Sequence, residues 1–310
     1  MADTILNDAM VNPSWSLTAA WRRRRVRLAA AVLGAVLVLL GLELATPEVR
    51  ILPEVAGVDR PGAVLLLLLM AMGCEYIDSS LGMGYGTALT PLLVLAGFDP
   101  MRIVPCVLFS ECVTGLAAGL MHHRDGNVDF LRDRQARLTT VLLTALSAVG
   151  ACAAVMLAVR IDAFWMGMGI VLIVLAMGAV TLLTFRRPLR YRRSHIVAVG
   201  AVAAFNKAFS GGGYGPLVTA GQVVSGLPAR HAVAVSSLAE SAVCVIGLVA
   251  YLAAGKRLDW TLAAPLTAGA LMSVPLATLT VRKLPETLMR VGVGLMTLIL
   301  GIVALVKLLG

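Results

Sequence analysis

Along this chain, apolar runs alternate with short polar joints. The runs fall near residues 28–46, 62–80, 84–98, 103–121, 138–158, 164–184, 195–210, 213–226, 231–253, 261–281 and 287–308. A helix that crosses a bilayer needs about 20 mostly apolar residues, so the longer runs predict transmembrane helices. Several others are short or broken by glycine, which leaves the number of segments better defined than the number of full crossings. Residues 1–27 are polar and mixed and predict a cytoplasmic tail. The run at 28–46 is expected to remain as an extra transmembrane helix. The stretch before its apolar core is too long for a secretory signal, and another apolar run soon follows.

Composition agrees with the pattern. Hydrophobic residues are 59% of the chain and charged residues 14%, against about 45–50% and about 25% in soluble domains. The net charge of +9 would fit a nucleic-acid partner, but the basic residues gather in short joints between apolar runs. That is the positive-inside signature, and it excludes nucleic acid in favour of a lipid bilayer. With the Arg22–Arg27 cluster inside, the inner joints also hold Arg124, Arg132, Arg134, Arg137, the 186–193 arginines, Arg282, Lys283 and Arg290. The outer joints hold Arg50, Arg60, Arg102, Arg160, Lys256 and Arg257. A cytoplasmic N-terminus follows, and by parity Gly310 faces outward. Cys74, Cys106, Cys112, Cys152 and Cys244 all sit in apolar runs without metal-binding or disulfide spacing, so no metal or other cofactor is expected.

An internal repeat carries the most information. Leu81-Gly82-Met83-Gly84-Tyr85-Gly86 returns as Ser210-Gly211-Gly212-Gly213-Tyr214-Gly215 at an offset of 129. The same offset carries Thr90 onto Thr219, Gly97 onto Gly226, Val104 onto Val233 and Glu111 onto Glu240, and sets Asp78 opposite Lys207. Asp129-Phe130 then faces Asp259-Trp260, Val159-Arg160 faces Val281-Arg282, and Gly167–Gly169 faces Gly292–Gly294. The expected architecture is an all-α integral membrane protein. It has two repeats of about five apolar segments, at 62–184 and 195–310, each with a broken or re-entrant helix. One half starts outside and the other inside, so the repeats should be inverted, a recurrent plan of secondary transporters with a site where the halves meet.

Candidate site residues follow from that plan. Non-helical backbone at membrane depth is tolerated only where protein buries it or a cavity is wetted. The glycine phrases therefore predict broken helices restarting near Gly86 and Gly215, whose free N–H groups suit an anion. Gly82, Gly84, Tyr85 and Gly86, with Gly211, Gly212, Gly213, Tyr214 and Gly215, are the candidate binding loops. The competing reading is that these glycines only allow close helix packing. Lys207, with Asn206 beside it, is the candidate anion-attracting group, and Asp78 either balances it, carries a proton or forms a structural ion pair with it. Glu111 and Glu240 are either protonatable coupling groups or braces of the broken helices. His122 and His123 with Asp125 and Asp129 resemble a metal cluster only loosely, and a solvated loop is expected there. Ser210 with His195 or His231 would be the nucleophile and base of an intramembrane enzyme, but no spacing specifies their contact.

The paired glycine phrases, the residues after them (Thr87–Gly97 and Pro216–Gly226) and the small-residue helices that follow resemble the TauE/SafE family of sulfite and organosulfonate exporters. The resemblance covers about residues 62–310. The first copy carries Pro91, whereas the second has Ala220 at the matching position and Pro216 nearer the glycines. The resemblance implies export of a small anion across the cell inner membrane, most simply sulfite or an organosulfonate, by a protein that is not an enzyme. A carrier of a carboxylate or a metal ion on the same fold is the alternative. The chain carries no GxxxxGK[ST] nucleotide loop, so a secondary carrier fits better than a pump, and a homo-oligomer is compatible with this plan.

Overall fold

A computed structural model describes residues 61–82, 85–184, 193–215, 218, 219, 222, 229–280 and 286–309. The tail, the extra helix at 28–46 and the proposed cytoplasmic N-terminus lie outside the described residues. So do Met83, Gly84 and most of the basic joint before residue 193.

The described residues contain α1 (Pro61–Leu81), α2 (Tyr85–Leu95), α3 (Pro100–Arg124), α4 (Arg134–Ala158) and α5 (Ala163–Thr184), then α6 (Arg193–Ser210), α7 (Ala229–Ala253), α8 (Trp260–Thr280) and α9 (Glu286–Leu309). Among them, α1, α3, α4, α7 and α8 are long and apolar enough to cross a membrane. The helix starts follow local chemistry. Asp99 caps α3, its carboxylate accepting from Met101 N, and Pro100 occupies a first-turn position that needs no N–H donor. Asp133 caps α4 by accepting from Gln135 N and Ala136 N.

Large apolar side chains are turned outward on the long helices, among them Leu120, Val149 and Val249. In water so much exposed apolar surface would drive aggregation, whereas acyl chains solvate it. The charged side chains take the opposite place. Glu75, Asp78, Glu111, Glu240 and Lys207 are all buried in the interior.

Packing between the halves is exchanged. α1 lies on α8 as α6 lies on α4, while α3 packs on α7 and α5 on α9. Small residues make each contact close. A Cβ added to Gly269 in α8 would overlap Leu68 O in α1, and one on Gly150 in α4 would overlap Ala201 O in α6. In the α3–α7 contact, a Cβ on Gly115 would lie 2.8 Å from Ser237 O. Close approach of backbones is how helices associate where lipid removes the hydrophobic drive. Here it brings Glu111 of α3 and Glu240 of α7 face to face.

Candidate functional site

Both glycine phrases end a helix. Gly82 N–H bonds to Asp78 O at 2.5 Å and Gly211 N–H to Lys207 O at 2.8 Å. Gly82 and Gly211 then take φ of +70° and +76°, the left-handed geometry that terminates helices and favours glycine. The chain resumes helix at Tyr85 in the first half and at Tyr214 and Gly215 in the second. Thus the broken helix expected in each half is present.

The two phrases also lie against each other. A Cβ on Gly86 would overlap Gly211 O, one on Gly212 would sit 2.5 Å from Thr87 N, and Gly213 N–H donates to Thr87 Oγ1 at 2.9 Å. In this conformation the glycines serve close packing, and the phrases must part before a ligand can lie between them. Gly84 lies outside the described residues. Tyr85 and Tyr214 are fully buried, and the Tyr85 hydroxyl is 2.7 Å from Ser110 Oγ.

Lys207 does not pair with Asp78 as one sequence reading had it. Its ammonium forms ion pairs with Glu111 Oε2 and, at 2.7 Å, with Glu240 Oε1. The packing of α3 on α7 gives the reason, since it sets the two repeat-related carboxylates on either side of the last turn of α6. A cation there also complements the negative end of the helix. Glu111 makes a second contact, accepting from Gly86 N–H at 3.3 Å through Oε1. Asp78 is buried one turn before Gly82 and forms no ion pair with Lys207. Asn206 is half-buried beside Lys207, and its main-chain carbonyl accepts from Ser210 Oγ at 2.7 Å.

Sequence reasoning passed over several groups. Glu75 is buried and accepts from Ser79 Oγ at 2.6 Å and Thr114 Oγ1 at 3.0 Å. Its repeat partner is Ala204, so the repeat itself did not draw attention to it; an acid three residues before Asp78 in an apolar run was the available signal. Thr219 Oγ1 donates to Gly82 O and is hydrogen-bonded to Ser236 Oγ, each at 2.8 Å, and Gln222 Nε2 donates to Ser236 Oγ at 2.9 Å. The repeat-equivalent Thr90 lies against Gly211 with its buried hydroxyl unpartnered.

The solvated loop expected at His122 is corrected. His122 lies in the last turn of α3 and is fully buried, with Nε2 3.0 Å from Ser79 O and Nδ1 2.8 Å from Asn127 Nδ2. The helix runs on past the last apolar residues because the packing of α3 on α1 gives the imidazole a carbonyl partner. His123 is half-buried, with Nδ1 3.2 Å from Val128 O, and among the described residues no group of acids, histidines and cysteines is arranged to hold a metal. Ser210 Oγ bonds to Asn206 O and Gly212 O rather than to His231, whose Nδ1 lies 3.8 Å from Asp133 Oδ2.

Comparison with known proteins agrees with the resemblance in the residues. The family model described as "Sulfite exporter TauE/SafE" matches residues 65–304. The chain is similar to a protein of Bacillus subtilis (strain 168) named "Probable membrane transporter protein YtnM", with 28% identity over 232 residues, covering 71% of this chain and 75% of the relative. No solved structure matches the chain. A matched family model over most of the length, apolar helices that turn their side chains outward and charges enclosed within place this chain in the TauE/SafE family, as a multi-pass membrane transporter.

Proposed function

We propose that this protein exports a small oxyanion, sulfite or an organosulfonate, across the bacterial inner membrane through a central site between inverted repeats. One observation carries the reading. A fully buried ammonium, Lys207, and the Gly86 N–H at the restart of a broken helix share one carboxylate, Glu111, and both features attract anions. A buried charge inside a membrane protein marks a substrate path by default. A monoanion leaving alone gains about 2.3 kcal/mol per 100 mV from an inside-negative potential, whereas one leaving with a proton moves without net charge down its own gradient; neither route needs a nucleotide.

The interior also supports a second reading. Among the described residues, Glu75, Asp78, Glu111 and Glu240 are four buried carboxyls against one buried ammonium, a balance that would suit a cation. Against it, these acids are not arranged as metal ligands. Proteoliposomes loaded in turn with sulfite, methanesulfonate, a dicarboxylate or a divalent cation separate the two. Saturable efflux of the sulfur anions alone is expected; efflux of the cation without them would replace the anion reading.

A further inference from the structure

The anion seat implied by this reading is already filled. Glu111 presents one carboxylate oxygen to Gly86 N–H at the start of α2 and the other to the ammonium of Lys207. Those are the two features that would hold a substrate oxyanion, and a side chain of the protein occupies both. The Thr90 hydroxyl, one turn along α2 from Gly86, is buried with no partner and lies against Gly211, whose carbonyl abuts Gly86. An unsatisfied hydroxyl at that contact fits a ligand oxygen better than the protein alone.

The geometry points to Glu111 as a tethered substitute for the substrate: it leaves Lys207 and Gly86 by taking a proton, and a monoanion takes its place, so that one proton travels with each anion. The inference rests on the anion-carrier reading above. Charge balance supports the ratio. With Glu111 ionised, the ammonium faces two carboxylates; with Glu111 protonated and a monoanion bound, it again faces two negative charges. The buried centre keeps its charge through the cycle, as a low-dielectric interior requires. Entry of an anion without the proton would set three negative charges around one ammonium.

Other groups share the field. From α1, Cys74, Glu75 and Asp78 face Glu111 electrostatically, and from α2 the Tyr85 phenol does. α6 contributes Lys207, and α7 contributes Glu240 and Cys244, the latter with its thiol 3.9 Å from Glu111 Oε2. The α5 and α8 spans carry no titratable side chain. Among the described acids, Glu111 alone bridges the helix start and the ammonium. Glu240 touches Lys207 without reaching Gly86, and Glu75 is satisfied by Ser79 and Thr114.

The test is binding of methanesulfonate, whose charge is constant across the range, to the purified full chain between pH 5 and 8. Affinity is expected to rise as pH falls, by up to about tenfold per unit, because proton and anion binding are reciprocally linked. Glu111→Gln should flatten that profile and give at pH 8 the affinity that the native chain reaches only in acid. A Glu111→Gln chain that keeps the native slope overturns the inference. Proton uptake by the native chain, followed with a dye in weak buffer, needs no variant: about one proton per anion is expected, and none overturns it. Binding without proton uptake defeats this inference alone. No sulfonate binding at any pH defeats the carrier reading beneath it.

Discussion

The hydroxyl of Thr219 donates to the carbonyl oxygen of Gly82 across 2.8 Å and so ties the second half to the broken helix of the first. The carbonyl belongs to a residue in the left-handed conformation that ends α1, where no helical partner remains for it. Thr219→Val would leave this buried carbonyl without its donor, costing about 1–3 kcal/mol. The repeat-equivalent Thr90→Val removes a hydroxyl without a partner and should leave stability within about 0.5 kcal/mol. Thermal unfolding of the two purified variants should separate them by several degrees. Equal midpoints would show that the Gly82 bond adds nothing to stability.

Gly86 and Gly73 offer a second contrast. A methyl group at Gly86 would overlap Gly211 O, whereas nothing lies within 4 Å of one at Gly73. Gly73 is an exposed interior position of α1, and alanine there favours the helix by about 0.5–1 kcal/mol. Gly73→Ala should therefore match or exceed the native folded yield after detergent extraction. Gly86→Ala should lose most of it, because two backbones would have to separate. A Gly86→Ala chain of native yield would mean that the phrases are not packed on each other.

Much of this arrangement was legible in the sequence. The offset that pairs Gly82 with Gly211 and Glu111 with Glu240 foretold two breaks and one acid inside an apolar segment of each half, because a repeat copies local backbone geometry along with residue type. The offset also set Asp78 opposite Lys207 and suggested a pair. The structure shows why that failed: repeat-equivalent positions occupy equivalent places in different halves and need not touch. Contact depends on which helices pack, and the close α3–α7 approach at Gly115 joined both glutamates to the lysine. His122 was missed for a related reason. A polar residue at the end of an apolar run reads as solvated unless a tertiary partner, here Ser79 O, is known.

At the rim, Arg102 of α3 forms an ion pair with Asp259, whose carboxylate also accepts from Thr261 N at 3.0 Å and Thr261 Oγ1 at 2.6 Å. Partial burial alone would raise the Asp259 carboxyl, but the bonds from Thr261 and the Arg102 guanidinium outweigh it and hold it below the ordinary aspartate range. A carboxyl depressed in the folded state stabilises the fold above its unfolded value, and that contribution is lost as pH falls through the folded value. Asp259→Asn should therefore lower the unfolding midpoint equally at pH 8 and pH 5, by no more than about 1 kcal/mol for so exposed a pair. The difference from the native chain should shrink only below about pH 4, near the unbound aspartate value. A difference that already closes between pH 8 and pH 6 would assign the effect to another group.

Lys207 is both a brace and a candidate ligand, and simple removal confounds the two. With the ammonium gone, Glu111 and Glu240 face each other in the interior without a cation. Breaking such a buried group by deleting one partner costs about 3–5 kcal/mol, while replacing the whole set by neutral residues is often tolerated. Lys207→Met alone should thus lose most of its folded yield. The triple replacement Lys207→Met, Glu111→Gln and Glu240→Gln should recover much of that yield, because no uncompensated charge remains. Sulfonate binding decides the functional half. The triple variant lacks the ammonium and should bind methanesulfonate at least about tenfold more weakly than the native chain does at pH 5, where Glu111 has left the seat, the loss expected when one charge-assisted contact of about 1.5–3 kcal/mol is removed. A well-folded triple variant with native affinity would leave Lys207 as a brace between the halves and move the anion site elsewhere.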